Sequence, residues 1–98
     1  MSSESNACLH AIVEGSVQGV GFRAFVYNHA QSIGLTGWVR NKGEDQVEVW
    51  AEGPEPDLEK FLALLRQGPS MSYVTRVEVS HPAPEGKFTR FMVISSTY

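Results

Sequence analysis

Apolar residues recur along this chain with two different periods, and each change of period marks an element. Cys8 to Glu14 (CLHAIVE) alternates loosely, with Ala11 and Val13 on one face and His10 and Ile12 on the other, which predicts a first strand. From Phe22 to Ile33 the spacing lengthens. Phe22, Phe25, Val26, Ala30 and Ile33 fit one face of a helix, and Gly34 is placed to stop it. Leu35 to Asn41 reads as a second strand and Lys42 to Asp45 (KGED) as a turn. Gln46 to Glu52 then sets Val47, Val49 and Ala51 against Glu48, Trp50 and Glu52, so the pair predicts a β-hairpin with one buried face. Gly53 to Asp57 (GPEPD) ends that strand with prolines and acids suited to a first helical turn. Leu58, Phe61, Leu62 and Leu65 form the stripe of a second helix, ended by Gly68 and Pro69. Tyr73 to Ser80 alternates Tyr73, Thr75, Val77 and Val79 against Val74, Arg76 and Glu78, a fourth strand. After the loop HPAPEG, Phe88 to Ile94 is a final strand.

The resulting order is β-α-β-β-α-β with one short extra strand. That is an α+β, ferredoxin-like arrangement, the split βαβ: a mainly antiparallel sheet with two helices on one face. Ninety-eight residues suit one domain. We expect a flexible N-terminal segment over 1–7 and a single domain over 8–98. This architecture hosts many functions and selects none of them.

Charge and composition narrow the classes. A net charge of −3 argues against a general nucleic-acid binder, and no strand carries the exposed aromatic pattern of an RNA-recognition sheet. The single cysteine, Cys8, allows no internal disulfide and reads as a small buried hydrophobe. No apolar run is long enough to span a membrane, and MSSESNA lacks the regions of a signal peptide. The expected protein is cytoplasmic, with no membrane partner.

The stretch with most chemistry is GSVQGVGFR, Gly15 to Arg23, between the first strand and the first helix. A helix N-terminus offers unpaired N–H groups and partial positive charge. Glycines before it let successive N–H groups turn inward as a nest that suits phosphate or carboxylate. Arg23 falls in the first helical turn, where a cation is mildly disfavoured; a bound anion would offset that cost, and the guanidinium fork can grip two of its oxygens. On the glycines alone, a tight turn with a solvated Arg23 accounts for the stretch equally well. It is neither a Walker loop nor a dinucleotide fingerprint, because the residues and spacings differ.

Taken in order, Gly15-Ser16-Val17-Gln18-Gly19-Val20-Gly21-Phe22-Arg23 resembles the first signature of the acylphosphatases, and Gly37-Trp38-Val39-Arg40-Asn41 resembles their second. The Glu-Gly-Pro after the third strand matches as well, and the resemblance runs from about Leu9 to the C-terminus. It implies metal-independent hydrolysis of a carboxyl-phosphate anhydride to a carboxylate and inorganic phosphate, by a small monomer without a cofactor. By matching positions, Arg23 would bind the phosphate and Asn41 would position the attacking water. The backbone N–H groups of Ser16, Val17, Gln18, Gly19, Val20, Gly21 and Phe22 would form the cradle. Substrate is then a small-molecule acyl phosphate, and inorganic phosphate is both product and competing ligand.

The other conspicuous residues have plainer readings. Asn41 precedes a turn, where Asn is common, and only the second signature gives it a further role. Trp38 either lines the site or packs in the sheet, with packing preferred. Arg40 and Lys42 flank Asn41 and either steer anions or are solvated. His29 reads as a structural histidine. His10, His29 and His81 have no metal-ligand spacing, so no metal is expected. Glu44, Asp45, Glu48 and Glu52 read as a solvated acidic face. A binding module that holds an anion without turnover uses the same cradle; Asn41 separates the two readings.

Overall fold

The computed structural model describes residues 6–97; the expected flexible segment lies mostly outside them. Its elements are β1 (Ala7–Ser16), α1 (Phe22–Ile33), β2 (Thr36–Lys42), β3 (Gln46–Gly53), α2 (Glu55–Gln67), β4 (Tyr73–Ser80) and β5 (Phe91–Val93). The five strands form one sheet in the order β4-β1-β3-β2-β5. All neighbours are antiparallel except β2 and β5. The fold is the α+β, ferredoxin-like one that the alternation of periods predicts.

Period-2 patterning decides which face is buried. Leu9, Ala11 and Val13 of β1 stand opposite Ala51, Val49 and Val47 of β3, and all six are fully buried. Onto this face α1 lays Phe22, Val26 and Ala30, and α2 lays Leu58, Phe61 and Leu65. Phe61 meets Phe91 of β5 edge to face at 6.1 Å. Burying such side chains is worth about 1.5–3 kcal/mol each for the larger ones, and the stripe spacing makes that burial available to both helices at once. Gly34 ends α1 in the left-handed region, and its N–H donates to Ala30 and Gln31. Leu35 still donates back to Ala30, so β2 begins one residue later than its apolar pattern suggests.

Two strands depart from their expected form. In β4, Arg76 faces Glu14 but Val74 faces Gly15, so Thr75 is an extra residue, a bulge. The bulge reverses the alternation. Val74, Val77 and Val79 pack on the core while Tyr73 is 71% exposed, so Tyr73 and Thr75 do not share the face of Val77 and Val79. Gly15 permits this close approach: a Cβ there would stand 2.1 Å from the Tyr73 carbonyl oxygen. The last strand is Phe91–Val93, much shorter than Phe88–Ile94. The chain must travel from one edge of the sheet to the other between β4 and β5. On the way, the N–H groups of Glu85 and Gly86 donate to the Glu52 carboxylate at 2.8 and 3.1 Å, which keeps that stretch out of the sheet.

The acidic face also needs correction. Glu44 and Asp45 are exposed, but Glu48 and Glu52 are 8% and 2% exposed. Glu48 accepts from His10 Nε2 at 2.7 Å and Arg40 Nε at 2.9 Å. Burial pushes its carboxyl up, but those two hydrogen bonds and the Arg40 charge outweigh it and hold the group below the usual range. Burial acts on Glu52 in the same sense and is outweighed by donation from Trp50 Nε1 and the two loop N–H groups. Trp38 stacks on Trp50 at 6.5 Å and Arg40 lies over Trp38, so both belong to this helix-free face. Cys8, opposite Glu52, is buried; burial, then Glu52 and Glu85, push its thiol up to about 12, so it stays protonated.

Candidate active site

The chain between β1 and α1 turns twice through the left-handed region. Gly19 has φ 74° and Gly21 has φ 80°, and among the described residues no non-glycine has positive φ, so the sign alternates from Gln18 to Phe22. Alternation of this kind brings successive N–H groups to one side. A side chain at Gly21 would have open space but a strained backbone, so conformation, and not crowding, asks for glycine there. Gly21 is also the N-cap of α1; it supplies no side-chain cap, and no acidic residue occupies the first turn. Phe25 is the first helical residue with an intrahelical bond, to Gly21 at 2.9 Å. The N–H groups before it are therefore open to a ligand.

Arg23 is in that first turn, half-buried, and pairs with no carboxylate among the described residues. It shares an open cavity of about 380 Å3 with Val17, Gly19, Gly21, Phe22 and Asn41. Asn41 reaches the cavity because β2 alternates. Gly37, Val39 and Asn41 point to the helix side, while Trp38, Arg40 and Lys42 point to the other. Asn41 Oδ1 is buried and has no hydrogen-bond partner among the described residues. A buried acceptor left open costs about 1–3 kcal/mol, so its retention beside a cation needs a reason.

The expected cradle residues divide. Val17, Gly19, Gly21 and Phe22 line the cavity with Arg23. Ser16 is the exposed last residue of β1 and faces Tyr73. Val17's N–H already donates to Gly15 at 2.9 Å. Val20 packs partly on the core, and the Gln18 side chain leaves the cavity altogether, donating to the carbonyls of Gly43 and Gln46. Ala24, Tyr27 and Val93 also line the cavity and were not singled out from the sequence. The signal for Tyr27 was present: it follows Arg23 by one helical turn, on the same face. Nothing local pointed to Val93, which arrives through the parallel pairing Val39↔Val93.

Among the histidines, His29 meets Phe25 edge to face at 4.5 Å, and the ring of His81 is 3.2 Å from the Cys8 carbonyl oxygen. Among the described residues, no group of three or more His, Cys, Asp or Glu is placed to hold a metal ion. No helix among the described residues is long and apolar enough to cross a membrane.

Comparison with known proteins bears directly on this cavity. The family model described as acylphosphatase matches residues 9–93. The acylphosphatase of Koribacter versatilis is 44% identical over 91 residues, covering 93% of this chain and 83% of the relative. That of Syntrophotalea carbinolica is 49% identical over 81 residues, covering 83% and 88%. The crystal structure of the Bacillus subtilis acylphosphatase superposes with a TM-score of 0.86 at 39% identity, covering 90% of this chain and 98% of that one. A glycine turn, a guanidinium with no carboxylate among the described residues and an amide oxygen with no partner among them thus stand in a chain whose residues 9–93 match this family. The chain belongs to the acylphosphatase family and hydrolyses the carboxyl-phosphate bond of acyl phosphates.

Proposed function

We propose that the turn ending at Phe22 and the Arg23 guanidinium hold the phosphoryl group, and that Asn41 orients the water that attacks it. An acyl phosphate carries a good leaving group, so the reaction asks mainly for positioning and for charge stabilisation. Open N–H groups and Arg23 supply the second, aimed at phosphoryl oxygens whose charge shifts in the transition state. Asn41 supplies the first. Its amide oxygen accepts a hydrogen bond from the water, whose oxygen attacks phosphorus in line with the acyl oxygen. The P–O bond to that oxygen breaks, its electron pair leaves on the carboxylate, and the water's proton passes to a phosphoryl oxygen. A neutral amide is a poor base, and the substrate serves as proton acceptor.

One observation carries this reading: Asn41, whose Oδ1 is buried and without a partner among the described residues, lines the same cavity as Arg23. The test is hydrolysis of benzoyl phosphate with a chelator present, by the parent protein, Arg23→Ala and Asn41→Ala, with inorganic phosphate as competitor. Both variants should lose most turnover, and Arg23→Ala alone should weaken competition by phosphate. Asn41→Ala with near-parent activity would remove the water assignment. Phosphate binding without turnover in the parent would mark a binding module.

The same proposal includes a monomer, cytoplasmic, with one working domain over 8–98 and no nucleic-acid or membrane partner. A net charge of −3 and a lone buried Cys8 support it. Sedimentation equilibrium that gave a mass above one chain would overturn the monomer.

A further inference from the structure

We propose that Gln18 is a positioning residue: its side chain fastens the glycine turn to the hairpin that carries Asn41, and so sets the separation between the bound phosphorus and the attacking water. The inference rests on the roles proposed above for Arg23 and Asn41.

Gln18 lies inside the turn, yet its side chain points away from the cavity. Its Nε2 donates to the carbonyl of Gly43 at 3.1 Å and to that of Gln46 at 2.9 Å. These acceptors stand at the two ends of the β2–β3 turn, just beyond Asn41. A primary amide nitrogen carries two N–H donors, and both are used here; two carbonyl acceptors also decide which end of the amide is nitrogen. The Gly15 N–H donates to the Asp45 carbonyl at 3.1 Å, so backbone and side chain tie the same loop to the same turn.

The hairpin tip is held from its other side as well. Gly43 N–H donates to Thr97 at 2.7 Å, and Thr97 N–H donates to Asn41 at 2.9 Å. Separate hydrogen bonds thus link Gln18 to Gly43, Gly43 to Thr97, and Thr97 to the backbone of Asn41. The catalytic oxygen and the anion cradle come from elements distant in sequence, and Gln18 is the side-chain tie between them. In-line attack is sensitive to such separations; a displacement of ~1 Å can cost about 10²-fold in rate.

Gln18→Met keeps the length of the side chain and removes both donors. With benzoyl phosphate it should lower kcat about tenfold, since the Gly15 tie persists. The competition constant of inorganic phosphate should change less than about twofold, because the cradle N–H groups and Arg23 are untouched. The decisive measurement is the same substitution in Asn41→Ala. A residue that acts through Asn41 should then cost little further, whereas a residue that merely supports the fold should cost the same tenfold again. Gln18→Glu, which turns an acceptor toward the two carbonyls, is the second variant, with the same expected split between kcat and phosphate competition. Parent-like kcat in either soluble variant, a matching loss of phosphate competition, or additivity with Asn41→Ala would overturn the proposal. An active Asn41→Ala single variant would overturn the water assignment instead, and it is recognised with Gln18 intact.

Discussion

The two faces of the β2–β3 hairpin treat polar atoms in opposite ways. On the helix-free face Glu48 and Glu52 are buried and each is answered: Glu48 by His10 and Arg40, Glu52 by Trp50 and the N–H groups of Glu85 and Gly86. On the helix face Asn41 Oδ1 is buried, and among the described residues neither it nor the nearby Arg23 guanidinium has a hydrogen-bond or carboxylate partner, respectively. Satisfied groups hold a scaffold together. Open ones cost stability and are kept where a ligand will complete them. The contrast separates structure from chemistry within a few residues of one strand pair.

Breaking the open side should cost activity and spare the fold. Arg23→Ala should lower kcat/KM for benzoyl phosphate by about 10³, the range for removal of a guanidinium from a phosphoryl transition state. Asn41→Ala should cost about 10² in kcat, as the loss of one aimed polar group does. Its thermal midpoint should stay level or rise, since the group removed has no partner to lose. A lower midpoint by calorimetry would mean that Asn41 is structural after all.

Breaking the satisfied side should do the reverse. Glu52→Ala leaves the Trp50 indole and two loop N–H groups without their acceptor, and should cost about 2–3 kcal/mol of unfolding free energy in urea. The folded fraction should keep its turnover, because Glu52 does not line the cavity. The smallest effect is expected at Glu48. Its carboxyl is held below the usual range in the fold, so its contribution is present above the ordinary glutamate value and is lost as pH falls through the folded one. Glu48→Gln should therefore be less stable than the parent at neutral pH and should lose less on acidification. Parallel acid-unfolding curves for the two would remove Glu48 from that role.

Much of this was legible in the residues. The periods of Ala11, Val13, Val47, Val49 and Ala51, and of Phe22, Val26, Phe61 and Leu65, state which side of each element is apolar, and burial of that side is the dominant drive to fold. The glycine turn and its arginine were legible for a related reason: backbone angles open to glycine and charges placed against a helix dipole are local facts. The bulge at Thr75 was not, because it depends on which residue of β1 stands opposite. The acids misled for the same reason. Alternation sends Glu48 and Glu52 to the outer face, but whether that face meets water depends on His10, Arg40 and the 85–86 stretch.

By itself, then, the sequence determined the element order, the buried faces and the place of the glycine turn with its arginine, because short-range sterics and side-chain spacing carry that information. Only the tertiary structure decided that Asn41 shares a cavity with Arg23, that Tyr27 and Val93 line it, and that the Gln18 side chain reaches the carbonyls of Gly43 and Gln46. Those relations are distances between segments remote along the chain, and strand pairing and helix docking set them together.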